Sequence, residues 1–212
     1  MYKLLSATPS PYARKVRVAL IEKGIPFELV TEVPWDATTE TPRYNPLEKL
    51  PVLVPDGGGE PVYESHYILE YLEAKHPDPP LVPSDVDGRL AARRLEVLCD
   101  GVCDALVLMF FEKMRAAEAQ SVEWLARQRR KVDGGLSAIA ERVSGRDFAV
   151  GDGFTLGDVA AVTVTGYIAV RWPDMDWRDR HPGLAAYAER LEQRPSFAAT
   201  RPTVQAITDK VV

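Results

Sequence analysis

The sequence predicts an α/β unit followed by an all-helical unit. Three observations carry this: strand and helix patterns alternate as far as Lys75, a proline-rich stretch follows, and beyond it every convincing pattern is helical. Tyr2 to Ser6 is a short apolar run bounded by Pro9, which reads as a strand. Pro11 to Gly24 has apolar Val16, Ala19 and Leu20 at helical spacing and cationic Arg14, Lys15 and Arg17 between them, with Gly24 where a helix C-terminal glycine belongs. Phe27 to Val33 returns as a strand, so the first two strands pair in parallel through a right-handed crossover. Pro51-Val52-Leu53-Val54, the turn Asp56-Gly57-Gly58-Gly59 and Pro61-Val62-Tyr63 make an antiparallel hairpin. Ser65 to Lys75, with Ile68, Leu69 and Leu72 at core spacing, closes a first domain over residues 1–76.

Residues 77–86 form the linker, stiffened by Pro77, Pro79, Pro80 and Pro83. The second domain, 87–212, reads as helices. Asp87 to Ala119 is a long one, with Leu90, Leu95, Leu98, Val102, Leu106, Met109 and Phe110 apolar. Val122 to Val143 is another, loosened at Gly134-Gly135. Thr155 to Val170 is apolar nearly all round, which marks a central, buried helix. Leu184 to Gln193 ends before Pro195, and the tail beyond is irregular with a short helix.

Composition narrows the function classes. The chain has 212 residues, 46% hydrophobic and 27% charged, with a formal net charge of -5. Mild acidity disfavours nucleic acid as the main partner, because phosphate binding wants a basic face. No run approaches the ~20 apolar residues of a membrane span. Met1-Tyr2-Lys3 does not open a signal peptide. Cys99 and Cys103 share a helix face at i, i+4 and read as small buried apolar side chains in a reducing cytoplasm. His66, His76 and His181 lack metal-ligand spacing, so no metal is expected, and no phosphate-binding glycine pattern is present.

Three places can carry chemistry. Ser10-Pro11 is a sound helix start, serine as cap and proline at the first helical position. The same geometry lets a hydroxyl at a helix N-terminus stabilise a thiolate. At Leu50-Pro51, proline opens a strand, and a cis bond there would leave the Leu50 backbone groups free to pair with an extended peptide. Glu64-Ser65 precedes a helix. Ser65 reads as its start, and also as a site where the hydroxyl and the first helical N–H groups hold a ligand carboxylate while Glu64 faces an ammonium.

In order and spacing these motifs resemble the glutathione transferase superfamily. Ser10-Pro11-Tyr12-Ala13-Arg14-Lys15-Val16-Arg17 is similar to the opening of that family's first helix. Asn45-Pro46-Leu47-Glu48-Lys49-Leu50-Pro51-Val52-Leu53 resembles its segment with a cis proline, and Glu64-Ser65 with Ile68, Leu69, Tyr71 and Leu72 resembles the segment that follows. Phe154-Thr155-Leu156-Gly157-Asp158 resembles the capping box of its central helix, in which Thr155 and Asp158 cap reciprocally. The resemblance runs over nearly the whole chain.

It implies a thioredoxin-like N-terminal domain that holds glutathione and an all-helical C-terminal domain for a hydrophobic electrophile. Ser10 corresponds to the residue that contacts the glutathione sulfur, with Thr8 as the alternative. Leu50 supplies backbone bonds to the cysteinyl part, shaped by Pro51. Glu64 and Ser65 hold the γ-glutamyl head, Lys49 lies toward the glycine carboxylate, and Trp35 walls the pocket. The electrophile lies between the domains, against Tyr12, Phe110, Phe111 and Met114, with Tyr167 or Trp172 as further candidates. A cytoplasmic homodimer serving detoxification follows by the same resemblance, paired through Tyr63 to Glu73 and the long helix from Arg89. Peroxidase, dehalogenase or isomerase chemistry, or a non-catalytic binding or assembly module, are the rivals on this scaffold.

Overall fold

The computed structural model describes residues 1–209. The chain divides into two units. The first comprises residues 1–81 together with 195–209, and the second residues 82–194.

The first unit is built on a four-stranded sheet ordered β2-β1-β3-β4. Its strands are β1 (Tyr2–Ser6), β2 (Phe27–Thr31), β3 (Val52–Pro55) and β4 (Val62–Tyr63). β1 and β2 are parallel, as the intervening α1 (Pro11–Glu22) requires, while β1–β3 and β3–β4 are antiparallel. α2 (Ser65–Lys75) follows β4. Leu4, Leu5, Val16, Leu20, Val52, Leu53, Ile68 and Leu72 are sealed in the core. This is the thioredoxin-like arrangement that the sequence implied. Lys23, past the end of α1, donates to the carbonyls of His76 and Pro79, both at 2.8 Å, and pairs with Glu73 at 2.7 Å, so the ends of α1 and α2 are tied.

The cations of α1 do not form a solvated face. Arg14, Lys15 and Arg17 are all buried. Arg14 reaches the carbonyl of Phe197 at 3.2 Å and the hydroxyl of Thr200 at 3.4 Å. Phe197 belongs to α8 (Pro195–Ala198), which packs on α1. The segment from Pro195, assigned to the second domain by the sequence pattern, thus packs in the first unit because a buried guanidinium finds its acceptors there.

The second unit is helical: α3 (Val86–Met114), α4 (Val122–Val143), α5 (Leu156–Arg171), α6 (Trp177–Arg180) and α7 (Pro182–Leu191). α3 stops at Met114 rather than running to Ala119. The Gln120 side chain donates to the carbonyls of Lys113 and Arg115, and Glu112 accepts from the Ser121 N–H, so side chains close the turn. Gly134-Gly135 does not loosen α4. A Cβ at Gly135 would stand 2.2 Å from the Val102 side chain, so glycine is what allows α3 and α4 to pack closely. The one-turn α6 lacked enough periodicity to be read in advance. α5 is buried from Leu156 through Ile168. Its capping box is complete: the Thr155 N–H and hydroxyl donate to one oxygen of Asp158 at 2.7 and 2.9 Å, and the Ala149 N–H and Tyr187 hydroxyl donate to the other. Among the described residues no helix is long and apolar enough to cross a membrane.

Candidate active site

Strand register brings the three sequence motifs to one end of the sheet. Ser6 pairs with Thr31, Leu5 with Val52, and Val52 with Tyr63. The C-terminal ends of β1 and β4 and the N-terminal end of β3 therefore stand in a row. Ser10 follows β1 after a short turn, Leu50-Pro51 leads into β3, and Glu64-Ser65 leaves β4. Neighbouring strands lie about 4.8 Å apart, so β1 to β4 spans about 10 Å. That is about the length of three extended residues.

Ser10 caps α1. Its backbone is extended, and its Oγ accepts from the Ala13 N–H at 3.2 Å, with Pro11 in the first turn. This cap uses an oxygen lone pair, so the hydroxyl proton is left to donate to a further acceptor. Thr8 differs: its hydroxyl donates to the Thr203 carbonyl at 3.2 Å, which directs its one proton to the C-terminal tail.

The Leu50–Pro51 peptide is cis. Leu50 lies ahead of the paired residues of β3, so its backbone polar groups are outside the ladder. Asn45 holds the loop that delivers it, a role the sequence motif did not disclose. It is 2% exposed, its amide donates to the Lys49 carbonyl at 2.8 Å, and its Oδ1 accepts from the Leu47 N–H at 2.9 Å. The Lys49 side chain is exposed, and Trp35, in the loop after β2, is half-exposed.

Glu64, not Ser65, is the cap of α2. It accepts from the N–H groups of His66 and Tyr67 at 3.3 and 3.4 Å, and the buried Ser65 hydroxyl donates to it at 3.3 Å. Donors at this helix start thus converge on one carboxylate, as its partial positive charge favours. Glu64 has φ 73°, a region that non-glycine residues rarely occupy, and such outliers gather at functional sites.

The apolar candidates are distributed over both units. Tyr12 is half-buried in the first turn of α1. Phe110 and Phe111, near the end of α3, are half-buried and stack edge to face with centroids 5.2 Å apart, while Met114 in the last turn is exposed. Tyr167 on α5 is buried, and burial raises its pKa above the usual tyrosine range. Trp172 caps the end of α5.

Comparison with known proteins places these features. The model of the glutathione S-transferase N-terminal domain matches residues 9–75, and that of the C-terminal domain matches residues 122–190. The crystal structure of a glutathione S-transferase from Methylobacterium radiotolerans, in complex with glutathione sulfonate, is 67% identical. The match covers 100% of this chain and 99% of that one, with a TM-score of 0.97. A glutathione S-transferase from Methylobacillus flagellatus with glutathione bound is 37% identical, over 96% of this chain and 100% of the other, with a TM-score of 0.91. The uncharacterized GST-like protein YibF of Escherichia coli is 35% identical over 94% of this chain and 98% of its own length. Two domain models in order, and likeness over the full length, make this chain a member of the glutathione S-transferase superfamily.

Proposed function

We propose that this chain is a glutathione transferase, which binds glutathione and presents its sulfur as a thiolate to a hydrophobic electrophile. The observation that carries the reading is the row of Ser10, Leu50-Pro51 and Glu64-Ser65 at one sheet end, spaced for an extended tripeptide. Relatives of the same fold that carry glutathione or its sulfonate support it.

In this reading the γ-glutamyl carboxylate takes the place that the Glu64 side chain occupies at the start of α2, and Glu64 turns to the ammonium. Leu50 pairs with the cysteinyl backbone, Lys49 reaches toward the glycine carboxylate, and Trp35 flanks the tripeptide. The Ser10 hydroxyl donates to the sulfur. A hydrogen bond to an anion is worth about 1.5–3 kcal/mol, which raises the thiolate population about tenfold to a hundredfold. Thr8, with its proton directed to Thr203, is the weaker donor. The thiolate forms a bond to an electrophilic carbon, and the leaving group departs with its electron pair. We assign the apolar body of the electrophile to Phe110, Phe111 and Met114. A detoxifying role in the cytoplasm is part of the same proposal.

A second copy of the chain is the proposed partner. Val86, Leu90, Val97 and Leu108 follow one narrow stripe of α3 and are exposed, on the side opposite the buried Leu95, Cys99, Leu106 and Met109. We propose this face of α3 as the one that meets the second copy. Sedimentation at micromolar concentration tests it: a monomer refutes the dimer.

The function itself is tested by calorimetric titration with glutathione, followed by conjugation of 1-chloro-2,4-dinitrobenzene. No heat at millimolar glutathione removes the enzymatic reading and leaves only the fold.

A further inference from the structure

The end of α5 holds a cationic cluster that the reaction above does not use. Arg171 and Trp172 are adjacent, and the Nε of the one and the Nε1 of the other are buried without an acceptor among the described residues. The Arg171 guanidinium lies 4.3 Å from the centre of the Phe110 ring and contacts the Tyr167 hydroxyl. The Lys113 ammonium, from the last turn of α3, stands 4.5 Å from the centre of the Trp172 ring. Among the described residues neither cation has a carboxylate at ion-pair distance.

Aromatic faces attract cations but carry no net charge, so two positive charges here stay uncompensated. A cation in the last turn of a helix complements the helix dipole, and Lys113 and Arg171 each stand in one, but this partial compensation leaves two buried donors lacking acceptors. An anion compensates both charges: the fork of a guanidinium matches a carboxylate, and partial desolvation strengthens the attraction. Arg171 and Trp172 are partly exposed and Lys113 is exposed, so an incoming group can reach the cluster. Phe110 and Trp172 supply apolar surface beside it.

We propose that this end of the helical unit binds a carboxylate or sulfonate carried on an aromatic body.

The test compares 1-naphthoate with methyl 1-naphthoate, which keeps the ring and removes the charge. Each is titrated without glutathione and followed by tryptophan quenching in wild type, Arg171→Gln and Lys113→Gln. The expected result is at least about tenfold tighter binding of the acid by wild type. Arg171→Gln should lose about tenfold for the acid and Lys113→Gln about threefold, with the ester within about twofold in both. Equal affinity for acid and ester in wild type, or acid binding by Arg171→Gln undiminished, overturns the proposal. Should Arg171→Gln fail to fold by circular dichroism, the acid-to-ester ratio of Lys113→Gln decides, an unchanged ratio overturning it. Glutathione calorimetry on the same samples is independent, so failure of the glutathione reading and failure of the anion site show separately.

Discussion

Asp158→Ala is expected to unfold the helical unit far more readily than any other single truncation of a polar side chain there. Asp158 is 0% exposed and accepts from four donors: the Ala149 N–H, the Thr155 N–H and hydroxyl, and the Tyr187 hydroxyl. Alanine leaves those donors without an acceptor and removes the cap of the central helix. An unsatisfied buried donor costs about 1–3 kcal/mol, and relief from burying the carboxylate offsets part of the sum. Breaking such a buried charged network costs about 3–5 kcal/mol net. For a chain of this size about 4 kcal/mol lowers Tm by about 8–16 °C. Circular dichroism at 222 nm, scanned on wild type and variant, measures it. A drop smaller than about 3 °C would refute the reasoning, because the network would then be contributing no more than an exposed cap.

Ser10→Ala should cut conjugation about tenfold to a hundredfold while glutathione affinity changes by less than about threefold, as expected when one hydrogen bond to the thiolate is lost. Thr8→Val should leave the rate within about twofold; the reverse pattern moves the sulfur contact to Thr8. Glu64→Gln should weaken glutathione binding about tenfold by calorimetry, since the charge facing the ligand ammonium is removed. The chain should also lose stability above pH 10. Burial, reinforced by Tyr71, raises Tyr2 from 10.0 to about 12, and burial raises Tyr167 and Tyr187 as well, with the Asp158 charge adding to the shift of Tyr187. The unfolded chain releases these protons near pH 10 and the folded chain holds them longer. Stability is therefore full below pH 10 and falls as pH rises toward 12. Scanning calorimetry from pH 8 to 11 checks this, and a Tm flat up to pH 11 contradicts it.

Most elements were legible because their signals are local. Ser10-Pro11 starts α1, Gly24 follows its end, Thr155 and Asp158 open α5, and the apolar run of α5 announces a buried helix. The features that the sequence misplaced answer to distant partners. Gly134-Gly135 reads as a loosening of α4 until Val102 is seen against Gly135. Arg14 reads only as one of three cations between apolar positions until Phe197 and Thr200 supply its acceptors. Ser65 reads as the cap of α2, yet the backbone at Glu64 puts the Glu64 carboxylate there instead. The roles of Asn45 and Arg171 were not legible, because an asparagine before a proline and an arginine at the end of an apolar helix are common in sequence. Their significance comes from what surrounds them.

The sequence alone determined the types and order of the longer elements and the family, because hydrophobic period, caps and prolines act within a few residues of themselves. Only the tertiary structure decided that Ser10, Leu50 and Glu64 share one end of the sheet, and that two cations meet among the aromatics at the end of α5. Strand register and helix packing are set by contacts between residues far apart in the chain, and those contacts leave no local mark.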